Sequence, residues 1–219
     1  MSGRREPQVR ELTRLMAQPA YIYEAGCALV IDGEHTVLTG EWTQDDDGSP
    51  AEKMLAAGIP DFLFERFPKR LEWHRPWHTD RLFSHLFRGA VDVDEANAAL
   101  VDGGHEGLRF LDNGAIGHQI DGQMAHAYHL VPGESSKARA AAFHMQVRGF
   151  SPEECIGVGD SMEDLDVAKA VGRFFIVANG PERDVGLDAA IGARPNVTVT
   201  DGRMGDGFYE AVLSSLASG

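Results

Sequence analysis

Between residues 135 and 180 the chain alternates helix signals with short, unbroken apolar runs, and no other feature restricts its architecture as tightly. Ser135-Ser136 can cap a helix running through Ala138 to about Val147, with Gly149 just past its end. Cys155-Ile156-Gly157-Val158 is then a short apolar strand that stops at Gly159-Asp160. Ser161 can cap the next helix, whose Leu165, Ala168 and Val171 share one face before Gly172. Phe174-Phe175-Ile176-Val177 is a second buried strand, ending at Asn179-Gly180. Strands apolar at every position bury both faces, and helices joining them through short loops cover those faces. The expected fold class is therefore α/β, built on a Rossmann-like parallel sheet.

The first 131 residues read differently. Pro7 to Met16 places Val9, Leu12, Leu15 and Met16 at helical spacing, and Ala20-Tyr21-Ile22-Tyr23 reads as a strand. After Gly26, Cys27 to Ile31 and Thr36-Val37-Leu38 flank Asp32-Gly33, a pair that adopts positive φ cheaply and so turns a hairpin. From Asp45-Asp46-Asp47-Gly48 to about Gly107 the pattern is helical and rich in Phe and Trp. Leu108–Leu111 and Ala125–Val131 supply two more strands that would close the sheet of an inserted α/β module. These boundaries divide the chain into residues 1–26, the first part of a core; 27–131, the inserted module; and 132–219, the second part of the core.

Composition narrows the partners. The 34 acidic against 20 basic residues give a net charge of −14, which repels nucleic acid and anionic lipid, so neither is an expected partner. No apolar run approaches the roughly 20 residues of a membrane span, and Met1–Glu6 leads into no signal-peptide core. Cys27 and Cys155 each lie in an apolar stretch and read as thiols of a reducing compartment, so the expected location is the cytoplasm. The oligomeric state is left open.

In a doubly wound sheet functional groups gather at the carboxyl ends of the strands, which is where Gly159-Asp160-Ser161-Met162-Glu163-Asp164 falls. Asp160 at the strand tip and Asp164 on the first helical turn return to one side, so both carboxylates can face a single cation such as Mg²⁺. The same pair can instead simply complement the helix N-terminus, and the motif alone does not choose. Lys137, following Gly133-Glu134-Ser135-Ser136, would by itself read as a solvated lysine. The ordered set carries more than its members: a lysine opening one helix, a strand ending in Gly-Asp-Ser-x-x-Asp, and a strand ending in Asn-Gly.

That set resembles the third and fourth motifs of the haloacid dehalogenase superfamily. Ser2-Gly3-Arg4 is similar to its second motif, where a Ser or Thr ends a strand and donates to a phosphoryl group. Tyr23-Glu24-Ala25-Gly26 resembles the Glu-Asn-Gly segment before the cap of the Cof-type branch, which includes sucrose phosphatase and mannosyl-3-phosphoglycerate phosphatase. The resemblance implies a Mg²⁺-dependent phosphatase that hydrolyses a small phosphorylated metabolite, a sugar phosphate or phosphoglycerate-linked sugar, through an aspartyl-phosphate. Under it Ser2 and Lys137 are catalytic, Asp160 and Asp164 hold the metal, Gly3, Arg4 and Asn179 bind substrate, and the inserted module is a cap that closes over the cleft.

The family also carries Asp-x-Asp-Gly-Thr on a central first strand, and no such motif occurs in these 219 residues. Asp92-Val93-Asp94-Glu95 comes nearest but reads as a helix start. The expectation is a core with its first strand missing, from a chain that starts at an internal codon of a longer reading frame. Unpaired backbone groups beside a vacant central strand would each cost on the order of 1–3 kcal/mol. The chain alone is expected to be inactive, and a noncatalytic remnant binding Mg²⁺ or phosphate in an interaction role is the second reading. A receiver-like domain is excluded by order, because Lys137 precedes Asp160 instead of following it.

Weaker signals remain. His74 and His78, with Asp80 nearby, have a zinc-like spacing that Pro76 interrupts. Arg75, His78, Arg81 and Arg88 can meet an anionic or sugar part of a substrate. His126 and His129 flank a strand near the junction of inserted module and core and can line the cleft, but read first as ordinary strand residues; Asp45-Asp46-Asp47 could attract calcium but, without the rest of an Asp-x-Asp-x-Asp-Gly loop, reads as a solvated turn.

Overall fold

The computed structural model describes residues 1–192 and 194–217. The chain divides into two compact units, Met1–Ala140 and Ala141–Gly219.

The first unit opens with helix α1 (Glu6–Leu15), started by Pro7 in its first turn and burying Val9. Strands β1 (Ala20–Tyr23), β2 (Ala28–Ile31) and β3 (Glu34–Val37) follow as an antiparallel sheet in the order β1-β2-β3. Asp32 and Gly33 turn the β2–β3 hairpin with φ of 51° and 89°, the left-handed pair that the Asp-Gly dipeptide favours.

A second sheet, order β4-β5-β7-β6, is antiparallel throughout: β4 (Leu71–Trp73), β5 (His85–Gly89), β6 (Leu108–Ile120) and β7 (Gln123–Pro132). Its helices are α2 (Pro50–Ala56), α3 (Ile59–Arg66) and α4 (Val93–Asp102). Ser49 and Glu52 close a reciprocal cap on α2, and the Asp92 carboxylate accepts from the Glu95 amide at the start of α4. Phe67, Phe87, Leu100, Phe110 and Leu130 pack between helices and sheet, with Phe87 stacked on Trp73 at 4.8 Å. Strands β4 and β5 lie where the sequence pattern reads as helix. The physical reason is burial: β5 is buried at four of its five positions, so it carries no polar–apolar alternation to betray a strand.

Helix α5 (Lys137–Arg148) spans the border between units; the Ser136 hydroxyl accepts from the Arg139 amide at its start, and Gly149 follows it at φ 72°. The second unit continues with β8 (Ile156–Gly159), α6 (Met162–Leu165) running into a 3-10 turn at Asp166–Lys169, β9 (Arg173–Ile176), α7 (Asn179–Arg183), α8 (Val185–Ile191), β10 (Val197–Val199) and α9 (Met204–Leu216). Its sheet is parallel, order β10-β9-β8, as the unbroken apolar runs require. Among the described residues β8 is paired on one side only, by β9. β10 carries no apolar run and gave no sequence signal. Cys27 is buried and Cys155 half-buried, and neither is in a disulfide. Among the described residues no helix is long and apolar enough to cross a membrane.

Candidate active site

In the first unit three chain segments meet around Gly3. The Ser2 amide donates to the Ile22 carbonyl, the Glu24 amide to Arg4, and the Ala25 amide to Ser2, so residues 2–4 are pinned along the end of β1. The Ser2 hydroxyl accepts from the Arg4 amide at 3.1 Å. Arg81, 8% exposed, donates from both terminal nitrogens to the Gly3 carbonyl at 3.0 and 3.1 Å, and to the Ser84 hydroxyl. Burial pulls the Arg81 guanidinium below its ordinary range, and Glu24 opposes that shift.

Glu24 is itself 1% exposed and fully engaged. Its carboxylate accepts from the Leu82 and Phe83 amides at 3.0 Å each and from the Ser84 hydroxyl at 2.7 Å. The chain reaches this geometry through three consecutive residues of positive φ, Glu24, Ala25 and Gly26, at 44°, 59° and 90°. Gly26 is the tightest point: a Cβ there would lie 2.2 Å from the Ser136 carbonyl carbon and 2.6 Å from the Lys137 nitrogen. The absent side chain lets the start of α5 dock on this turn, and Lys137, 4% exposed, is held there by its backbone.

In the second unit the carboxyl end of β8 carries the acidic pair. The Asp164 carboxylate accepts from the Ser161 hydroxyl at 2.8 Å and from the Asp160 amide at 3.3 Å, so Asp164 is folded back against the strand tip. Gly159 permits this approach, since a Cβ there would meet the Asp164 Cβ at 2.3 Å. Asn179, 2% exposed, donates to the Asp160 carboxylate at 3.4 Å and accepts from the Met204 amide at 2.7 Å, tying the β8 and β9 loops to the start of α9. Gly180 lets that segment come close, with a Cβ position only 2.9 Å from the Asp160 carbonyl. Two neighbouring carboxylates are a hard-oxygen donor set that suits Mg²⁺ with water in its other positions. Among the described residues no group of three or more His, Cys, Asp or Glu gathers around a metal-sized point.

The remaining sequence candidates sort by what they touch. The Asp80 carboxylate pairs with Arg5 at 2.7 Å, which leaves His74 and His78 without the third ligand that a zinc site needs. Asp45 pairs with Lys53 at 2.6 Å, which holds its carboxyl below the usual range, and accepts from the Asp47 amide, an ordinary turn. Arg88 pairs with Glu72 at 2.5 Å; together with Arg75, Trp73, Leu71 and Phe64 they line a cleft of about 420 Å³.

No family model matches the chain. Its fold, however, is shared with solved structures along nearly its whole length. The sucrose-phosphatase from Synechocystis, solved with sucrose and phosphate, aligns over 97% of this chain and 82% of its own at TM-score 0.67 and 15% identity. A haloacid dehalogenase-like hydrolase from Bacteroides thetaiotaomicron aligns over 97% and 84% at TM-score 0.60 and 14% identity. The fold is that of the haloacid dehalogenase-like hydrolases. Among characterised sequences, this chain is similar to the phosphoglycolate phosphatase of Methanoculleus marisnigri, 35% identical over 126 residues, which are 58% of this chain and 45% of that protein. A phosphoglycolate phosphatase of Archaeoglobus fulgidus is 31% identical over 96 residues, 44% of this chain and 37% of that protein. The matched stretches thus span less than half the length of either relative. What sequence reasoning did not single out in this haloacid dehalogenase-like fold is the support: the Glu24 grip on residues 82–84, the Arg81 tie to Gly3, and the steric role of Gly26, Gly159 and Gly180.

Proposed function

We propose that this chain is the greater part of a Mg²⁺-dependent phosphatase acting on a small phosphorylated metabolite in the cytoplasm. The observation that carries the reading is the Asp160 carboxylate at the tip of a parallel strand, steadied by Asn179 and backed by Asp164. Asp160 and Asp164 would hold the metal, and Mg²⁺ when bound would offset charge on the phosphoryl oxygens. Ser2 and the buried Lys137 would donate to those oxygens, with Gly3 and Arg4 presenting backbone to the same group and Asn179 acting through Asp160. Residues 27–131 would cap the substrate, whose class is a sugar phosphate or a phosphorylated acid; the phosphoglycolate and sucrose phosphatases it resembles support that range. The attacking aspartate is not among these 219 residues, so hydrolysis is proposed for the chain joined to an Asp-x-Asp strand. The second reading, a Mg²⁺- or phosphate-binding remnant without turnover, rests on the same sequence fact.

Calorimetric titration of Mg²⁺ into the chain tests the metal half directly. Binding is expected in the wild type and lost in Asp160→Asn. An Asp160→Asn variant that binds Mg²⁺ as the parent does would overturn the proposal. Joined in frame to an Asp-x-Asp-Gly-Thr strand, the chain is expected to hydrolyse phosphomonoesters only with Mg²⁺; a metal-binding but turnover-free protein across a broad metabolite panel would favour the remnant.

A further inference from the structure

On the sheet β4-β5-β7-β6, the face away from Phe87 and Phe110 carries an arrangement that packing does not explain. The His74 amide donates to the Leu86 carbonyl, and Leu86 pairs with His129, so His74 and His129 flank Leu86 on that face. His129 is 1% exposed, yet its Nδ1 has no hydrogen-bond partner, and the buried Nδ1 atoms of His74 and His78 have none either. A buried polar atom left unpaired costs about 1–3 kcal/mol, so the two on this face, those of His129 and His74, point to a missing partner rather than to chance. The surroundings are cationic: burial first, then Arg81, Lys137 and His74, hold the His129 imidazole far below its usual range, and burial with Arg88 and Arg81 acts likewise on His74. The His129 Nε2 also touches the candidate phosphoryl loop, since a Cβ on Gly3 would lie 2.4 Å from it.

We propose that His129 and His74 form the subsite for a second acidic group of the substrate, a carboxylate carried within two or three carbons of the phosphate ester. This rests on the phosphatase reading above, because the phosphoryl group would sit on Ser2, next in sequence to the Gly3 that His129 abuts. A hydroxyl would give these imidazoles one neutral hydrogen bond. A carboxylate does more: it reverses the local field, accepts from an imidazole that takes up a proton, and satisfies the orphaned nitrogen. The short reach from Gly3 to His129 selects small phosphorylated acids over phosphorylated sugars.

The test compares two phosphate esters of equal length on the full chain with Mg²⁺: phosphoglycolate, which bears the carboxylate, and ethyl phosphate, which does not. Phosphoglycolate is expected to bind about tenfold or more tightly, the worth of one charged hydrogen bond. Its binding should take up a proton, read as a dependence of calorimetric heat on buffer ionisation, and should shift the His129 and His74 imidazole resonances of a ¹⁵N-histidine sample. In His129→Gln and in the half-exposed His74→Gln the affinity ratio should fall towards one, whereas damage to packing would weaken both ligands together and keep the ratio. Equal affinity of the two esters for the wild type, or a ratio that survives both substitutions, overturns the subsite and leaves the phosphatase reading standing. Failure of either ester to bind at all, with Mg²⁺ binding also absent, overturns both.

Discussion

The two units hold their candidate groups by opposite means. In the first, beside the short backbone ties along β1, the buried anchors are long in sequence: Glu24 grips Leu82, Phe83 and Ser84, Arg81 holds Gly3, and Gly26 docks against Ser136. In the second, the ties are short: Asp164 to Asp160 and Ser161, Asn179 to Asp160 and Met204. Closing a long loop costs more chain entropy than closing a short one, so the first unit needs strongly buried, multiply bonded anchors, whereas the second relies on strand ends and glycines that bring neighbours together. The comparison implies that single substitutions in the first unit's anchors cost global stability, while under the proposed function those around Asp160 cost metal affinity first.

Gly26→Ala is expected to give the largest effect. Its Cβ would collide with backbone at 2.2–2.6 Å at φ 90°, where yielding is hard, so a loss of about 3–5 kcal/mol in denaturant unfolding is expected. Gly149→Ala, at φ 72° with open space around it, should lose only about 1 kcal/mol. Equal losses would remove docking against α5 as the reason for Gly26.

Glu24→Gln comes next. A neutral amide cannot accept three hydrogen bonds as a carboxylate does, and it leaves the buried Arg81 without its neighbouring charge, so a loss of about 2–3 kcal/mol in the unfolding midpoint is expected. A near-neutral result would show that the loop at 82–84 holds itself.

The pH dependence probes the aromatic sheet. His85 is buried and donates to the Ala51 carbonyl at 2.9 Å; burial pushes its imidazole from the ordinary 6.5 down to about 4. The unfolded chain therefore binds the extra proton first. Stability contributed by neutral His85 is complete above pH 6.5 and is lost as pH falls towards 4, at up to about 1.4 kcal/mol per pH unit. His85→Gln should flatten that part of a stability–pH curve, and an unchanged slope would assign the acid sensitivity to other groups.

Asn179→Ala should perturb stability least, by about 1 kcal/mol, yet under the proposed function weaken Mg²⁺ about tenfold or more, because it removes one hold on the Asp160 carboxylate and on the loop before α9. Calorimetry and denaturation on the same variant separate the two. A loss of stability without loss of affinity would reverse the contrast between the units.

Much of the second unit was legible residue by residue. Ser161, Gly159 and Asn179-Gly180 are local punctuation, and each does locally what its type suggests: the Ser161 hydroxyl accepts from the Asp164 amide, and Gly159 clears room for the Asp164 side chain. Leu165, Ala168 and Val171 are buried together as their spacing requires. In the first unit the helix before β1, the Asp-Gly hairpin and the Asp92 cap were equally readable. Strands β4 and β5 were not: β4 is only three residues, too short to establish a period, β5 is buried at nearly every position and loses the alternation that marks a strand, and aromatic density there resembles a helical core.

The sequence by itself determined the α/β class, the hairpin turn, the helix caps and the candidacy of Asp160, Asp164 and Lys137, since propensity, capping and apolar period act over a few residues. Only the tertiary structure decided that Glu24 is a buried anchor, that Arg81 is tied to Gly3, that Gly26 exists to admit the start of α5, and that His74 and His129 share a face with unpaired nitrogens. Those facts depend on partners dozens of residues away, and no local pattern encodes which distant atom will fill the space beside a side chain.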